Sequence, residues 1–166
     1  ADHHAVFVSG REVNSAALDR VTRTEVLRLC HVDQLGPAGQ VGIVQHLLGR
    51  HLHARIGDVA LHIGKGKVHP STVVITHTLS QSGIVAYPRL VIKADENSEI
   101  TVVERFVSPD GTDSLIVPVA EVHAAQSARV TYNAINELGN KKWKIAHQQS
   151  LGERDSTTRL FTVALG

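Results

Sequence analysis

The chain has 166 residues and a mass of 17.9 kDa, one domain's worth of material, and its 17 Lys plus Arg against 16 Asp plus Glu leave a net charge of +1. Such a balance gives no electrostatic ground for a nucleic acid or a membrane as the main partner, and 4% aromatic residues argue against base-stacking platforms. The lone Cys30 excludes an intramolecular disulfide and any tetra-cysteine zinc or iron–sulfur site from this chain alone, and it fits a reducing, cytoplasmic setting.

Ser15 reads as the N-cap of a helix running to Cys30, with Leu18, Val21, Val26, Leu29 and Cys30 on one stripe. Cys30 in that stripe is a small buried hydrophobe rather than a nucleophile, because nothing around it lowers a thiol pKa. After the breaker Leu35-Gly36-Pro37-Ala38-Gly39, the spacing of Ile43, Val44, Leu47, Leu48 and Leu52 predicts a second helix over 41–54. Residues 1–56 are therefore expected to be a helical lead-in of one or two short helices.

Beyond Gly57 the texture changes to short Val-, Ile- and Thr-rich runs separated by Gly, Pro, Asn, Asp and Ser. Strands are predicted at 59–63, 72–77, 90–93, 100–106, 115–122, 129–135, 143–148 and 158–164. No helix intervenes, which excludes alternating βαβ units and leaves a sandwich, a barrel or a solenoid. Internal spacing favours the last. Pro88 and Pro118, Ala94 and Ala124, and Thr101 and Thr131 each stand thirty residues apart, as do Ile92 and Val122 and the series Ile100, Val130, Leu160. A period near thirty with two strands and two turns suits one coil of a parallel β-helix. Chance matching within β-rich sequence is the bland alternative. The prolines fit coil corners, where a ladder can spare their missing N–H.

The chain lacks methionine and ends on Val163-Ala164-Leu165-Gly166 with apolar alternation still running, so 57–166 is expected to be a partial β-helix cut from a longer protein and truncated at its C-terminal end. Neither an apolar run of about 18 residues nor a basic, apolar leader is present, so no membrane span or signal peptide is expected.

Histidine reaches 11, six of them between His46 and His77. His51 and His53, with His62, His69 and His77 close behind, could form a transition-metal site, but a helix end would turn i and i+2 apart and no acidic ligand comes before Asp58. A cupin-like site would also need a Glu soon after His53, and none is there. Solvated or hydrogen-bonded histidines are the plainer reading. In Trp143-Lys144-Ile145-Ala146-His147-Gln148 the strand period places Trp143, Ile145 and His147 on one face, expected inward, which makes His147 a buried, hydrogen-bonded imidazole. Gly64-Lys65-Gly66-Lys67 lacks phosphate-loop spacing and reads as a tight turn, as does Asp110-Gly111-Thr112-Asp113 rather than a calcium loop. No Ser-His-Asp or paired-carboxylate arrangement is present. No catalytic, cofactor-binding or metal-ligating residue is assigned, and the chain is not expected to be an enzyme.

The segments Tyr87-Pro88-Arg89-Leu90-Val91-Ile92 and Glu96-Asn97-Ser98-Glu99-Ile100-Thr101-Val102-Val103-Glu104-Arg105-Phe106 resemble the central region of the SufB/SufD family of iron–sulfur cluster assembly proteins, with a lean towards SufD. The likeness continues through Val117-Pro118-Val119-Ala120-Glu121-Val122, Glu137-Leu138-Gly139, Trp143-x-Ile145-x-His147-Gln148, Glu153-Arg154-Asp155 and Thr162 to Gly166, and covers 57–166. It implies a right-handed parallel β-helix. It also implies a non-catalytic, cytoplasmic scaffold partner of a SufB-like subunit and a SufC-like ATPase, in a complex that assembles iron–sulfur clusters transiently. The family's proposed cluster-holding histidine and cysteine lie in later coils, so no site residue carries over, and no cluster is expected on this chain alone. Two readings from other classes are a β-helical polysaccharide-acting protein, which would want Asp, Arg and Lys clustered on one sheet face, and a histidine-dependent metal-binding module.

Overall fold

A computed structural model describes residues 27–31, 41–46 and 55–165 of the chain. Among these residues there is no helix, and the chain winds as a parallel β-solenoid. One sheet is built from β1 (Leu27–His31), β3 (Arg55–Ile63), β5 (Ile84–Ala94), β7 (Ser114–Ile116), β8 (Val119–Ala124), β10 (Lys142–Lys144) and β11 (His147–Gly152). The other contains β2 (Val41–His46), β4 (Val73–Thr78), β6 (Glu99–Val107), β9 (Arg129–Glu137) and β12 (Thr157–Ala164). Every pairing between strands is parallel and joins one coil to the next.

The thirty-residue offset is the ladder itself. Ile92 and Val122, Ala94 and Ala124, Ile100 and Val130, and Thr101 and Thr131 are direct partners across adjacent coils. The last repeat is shorter: Val130 pairs with Thr158 rather than Leu160, and Leu160 pairs with Tyr132. Corners absorb such differences in length. One corner places Gly66, Asn97, Ser127 and Asp155, with φ of 69°, 56°, 59° and 60°, at equivalent points of successive coils. The backbone N–H of Gly66 donates to Glu96 O, that of Asn97 to Gln126 O and that of Ser127 to Arg154 O, so the corners are stacked by hydrogen bonds. The Gly64–Lys67 segment is thus a tight turn, closed by Lys67 N–H donating to Gly64 O at 3.1 Å. Asp110-Gly111 is likewise a turn, at the opposite corner, with Gly111 at φ 77°.

Alternation along the strands puts one face into the core and the other outward. In β5 and β6 the inward positions are even-numbered, from Ile84 to Ala94 and from Ile100 to Phe106. The core these strands enclose is Leu61, Ile63, Val73, Ile75, Leu90, Ile92, Ile100, Val102, Phe106, Ile116, Val122, Val130 and Tyr132, with small Ala residues at the tight columns.

The helical lead-in is corrected where it can be seen. Leu27–His31 pairs in parallel with Asp58–His62, and Val41–His46 with Val73–Thr78, so both are strands, and Cys30 lies in β1 rather than on a helix. The apolar spacing over 41–54 mimics a helix, but Val41, Ile43 and Val44 are β-branched and a neighbouring strand offers a six-residue ladder; the ladder prevails. The rest of both predicted helices lies outside the described residues. The stretch 115–122 is two strands that turn at Val117-Pro118, and 143–148 is likewise divided between β10 and β11.

Gly139 fixes one corner sterically. A Cβ there would stand 2.7 Å from Pro109 O and 2.8 Å from Asp110 Cα, both backbone atoms of the preceding coil. Gly139→Ala should therefore lower stability by about 1–3 kcal/mol, read as a drop in the urea midpoint with an unchanged m-value.

Candidate functional site

Among the described residues the solenoid interior carries a polar network within its apolar columns. His77 on β4 and Glu104 on β6 are each only 1% exposed, and His77 Nε2 lies 2.7 Å from Glu104 Oε1. The Tyr132 hydroxyl, from β9, donates to Glu104 Oε2. One carboxylate thus ties together three successive coils. His77 stacks on Phe106, its ladder partner, with ring centroids 4.9 Å apart and planes 16° from parallel. Burial pushes the Tyr132 phenol well above its ordinary pKa, and the Glu104 carboxylate beside it adds to that.

Below Tyr132 the interior changes character. Following the ladder from β7, β8 and β9 to β10, β11 and β12, Ile116 is replaced by Lys144, Ala120 by Gln148, Val122 by Ser150, Val130 by Thr158 and Ala134 by Thr162. These positions become polar within one coil and are half-buried at Lys144, Gln148 and Thr158 and exposed at Ser150 and Thr162, while Leu160 keeps an apolar side chain opposite Tyr132. Gln148 Nε2 donates to Thr162 Oγ1 at 3.1 Å, and its side chain also bonds the Tyr132 hydroxyl. Lys144 reaches back under Phe106, its Nζ 3.6 Å from the ring centroid, and donates to Asn136 Oδ1. Desolvation lowers its pKa to about 8, the nearby Glu104 charge pulling the other way. Together Glu104, Tyr132, Lys144, Gln148 and Thr162 form a polar series that runs from the buried Glu104 and Tyr132 through the half-buried Lys144 and Gln148 to the exposed Thr162.

A family model described as SUF system FeS cluster assembly, SufBD core domain, matches residues 77–166, more than half of the chain. The chain belongs to the SufBD core family. No curated protein and no solved structure matches it. The matched SufBD core region opens on His77, the first member of the buried network, and runs through every strand of the polar interior. It is shorter on its N-terminal side than the resemblance over 57–166.

In this SufBD core protein His62, His69 and His77 are hydrogen-bonded, as the plainer of the two readings of the histidines expects. His51 and His53 lie outside the described residues. His62 Nε2 bonds Asp95 Oδ2 at 2.8 Å, and His69 Nδ1 donates to Ser71 O at 2.6 Å, while His77 joins Glu104. Among the described residues no three His, Cys, Asp or Glu side chains gather where they could hold a metal ion. The inward placement of His147 is overturned: His147 pairs with outward-facing Val119, and Trp143, 74% exposed, pairs with outward-facing Leu115. Apolar content on one face of an isolated strand suggested burial, whereas the preceding coil decides which face turns in. The usable signal was parity. The even-numbered apolar repeat Ile92, Val122, Ile100, Val130, carried forward by an even offset, sends Lys144 and Gln148 inward.

Outside, ion pairs join neighbouring coils. Arg89 Nη2 donates to both carboxylate oxygens of Glu121, at 2.8 and 3.0 Å, and this bond holds the Glu121 carboxyl below the ordinary Glu value. Arg105 Nε donates to Glu137 at 2.8 Å. Such exposed pairs contribute at most about 1 kcal/mol each. No helix among the described residues is long and apolar enough to cross a membrane.

Glu104→Leu should cost about 3–5 kcal/mol, because it strands the His77 imidazole and the Tyr132 hydroxyl in the core, whereas Tyr132→Phe should cost only about 1–2 kcal/mol; urea unfolding of the two variants measures the difference. Lys144 gives a pH effect of opposite sign to a salt bridge. Its folded pKa lies below the unfolded one, so the unfolded chain holds more protons between these values and stability should rise as pH increases from about 8 towards 10. Melting temperatures across that window should show the rise in the wild type and a flatter profile in Lys144→Met.

Proposed function

We propose that the chain is a SufD-like subunit of the iron–sulfur cluster assembly machinery, a non-catalytic scaffold partner acting in the cytoplasm beside a SufB-like subunit and a SufC-like ATPase. The observation that carries this reading is the SufBD core match over 77–166, lying on a parallel solenoid. These 166 residues contain one thiol, Cys30, whereas iron–sulfur clusters are held mostly by several thiolates, so the nascent cluster is cargo of the complex rather than a group this chain holds alone. A scaffold role suits a fold in which the buried His77–Glu104–Tyr132 network ties three successive coils together.

The test is reconstitution of the chain with SufB-like and SufC-like proteins. A ternary complex that co-elutes on size exclusion, with cluster absorbance and ATP hydrolysis requiring the other two subunits, is the expected result. Failure to form any complex, or a cluster held by this chain without the SufB-like subunit, would overturn the assignment.

A further inference from the structure

Of the aspartates in the chain only Asp110 is followed by glycine, and no asparagine is. A glycine in that place leaves the next peptide nitrogen unshielded by a side chain and free to rotate, so the nitrogen can reach the side-chain carbonyl carbon of the aspartate. Both residues are exposed, and Gly111 stands in the left-handed region at φ 77°. What restrains the pair is the corner of the following coil. Asn140 N–H donates to Asp110 Oδ1 at 2.9 Å, and Gly111 N–H donates to Asn140 Oδ1, also at 2.9 Å. One residue thus holds the electrophile through its backbone and the nucleophile through its side chain. The two corners also pack backbone to backbone, since a Cβ on Gly139 would stand 2.8 Å from Asp110 Cα, and Gly139 N–H is itself held by Ser108 Oγ at 3.0 Å. Turning the Gly111 nitrogen towards Asp110 Cγ therefore requires the corners to part, which is a local opening rather than unfolding.

We propose that Asp110 is a site of spontaneous covalent modification, conversion to isoaspartate through a succinimide, and that Asn140 of the following coil holds this conversion in check. The Gly111 nitrogen gives its proton to water and forms a bond to Asp110 Cγ, and a side-chain oxygen leaves as water, which closes a five-membered imide. Water then opens the ring at either carbonyl. Opening at the main-chain carbonyl leaves the Gly111 nitrogen bonded to Cγ and a carboxylate on Cα, so one water is lost and one regained and no oxidant or reductant is needed. The product carries one extra carbon in the main chain. It lengthens the corner just before Asp113, whose N–H donates to Ser82 Oγ at 3.3 Å and whose carbonyl accepts from Gly83 N–H at 2.7 Å, and so loosens the stacking on both neighbouring coils. The site is separate from the buried His77–Glu104–Tyr132 network, and it does not depend on the assembly role.

Prolonged incubation of the whole chain in neutral buffer tests this, with isoaspartate at Asp110 quantified by electron-transfer fragmentation of its peptide and by isoaspartyl methyltransferase labelling. Conversion is expected to be slow in the folded chain and faster in the same chain unfolded in urea. Asn140→Ala, which removes the acceptor for Gly111 N–H and leaves the backbone donor in place, should raise the folded rate about three- to tenfold, the factor that one net hydrogen bond is worth. Asn140→Asp keeps an acceptor oxygen and should stay near the wild-type rate. Asp155, at the other corner, should convert no faster in either variant. Far-UV circular dichroism accompanies both variants, and should Asn140→Ala unfold, the comparison of folded with urea-unfolded wild type carries the test. Equal rates in the folded and unfolded wild type, no isoaspartate at Asp110 in either, a wild-type rate in folded Asn140→Ala, or a rise shared by Asp155 would overturn the proposal.

Discussion

In a parallel ladder each inner strand is fixed by one strand from the coil before and one from the coil after, so whether a residue faces in or out is inherited from its partners. This constraint governs the chain from β3 to β12. The steps between partners are not equal: Val73 pairs with Val102, Arg89 with Val119 and Val119 with His147. Loops at the corners take up the difference, and the backbone at those corners reaches the left-handed region repeatedly, with Asn97, Ser127 and Asp155 where an earlier coil has Gly66. Asn and Asp tolerate that conformation better than other residues with a side chain, and stacking through Asn97 N–H to Gln126 O and Ser127 N–H to Arg154 O helps to hold it.

The same constraint explains why a buried carboxylate is tolerable in this core. The ladder partners of Glu104 are Ile75 and Ala134, yet its hydrogen-bond partners are His77 and Tyr132, each two residues along the adjacent strand. The bonds therefore run diagonally, one up and one down. An apolar column can slip by two residues and still bury its side chains, since the inward face is kept. A diagonal network cannot, because a slip of β6 by two residues in either direction carries Glu104 away from His77 or from Tyr132 and leaves a buried polar group unpaired. Fixing register is the use of buried polar groups best supported by physical argument, and it is the natural role here.

How much of this was legible follows from what sequence can encode. The solenoid was readable because the pairs Ala94 with Ala124 and Thr101 with Thr131 are literal neighbours, so their similarity reflects a shared place in the ladder. Strands β1 and β2 were not, because apolar residues at helical spacing in a short segment carry no record of the distant strand that will pair with them. The Glu104 network escaped for a related reason. Its members are 27 and 28 residues apart, off the ladder steps, so no repeat alignment brings them together. His147 was misplaced because its strand was read alone; the polar inward set of Lys144, Gln148 and Thr162 becomes visible only once parity is carried over from the coil before.

That change of lining also bears on what the fold is for. Ile116, Ala120 and Ala134 close the interior by volume, which gives stability without direction, while at the corresponding positions Lys144 and Gln148 are half-buried, Thr162 is exposed, and hydrogen bonds take the place of packing. Directed bonds among side chains from both sheets, Lys144 to Asn136 and Gln148 to Thr162, link the two walls at a face that solvent reaches. Polar side chains there suit a face that solvent reaches, in a fold whose rigidity comes from the apolar coils on the side of β3 to β9.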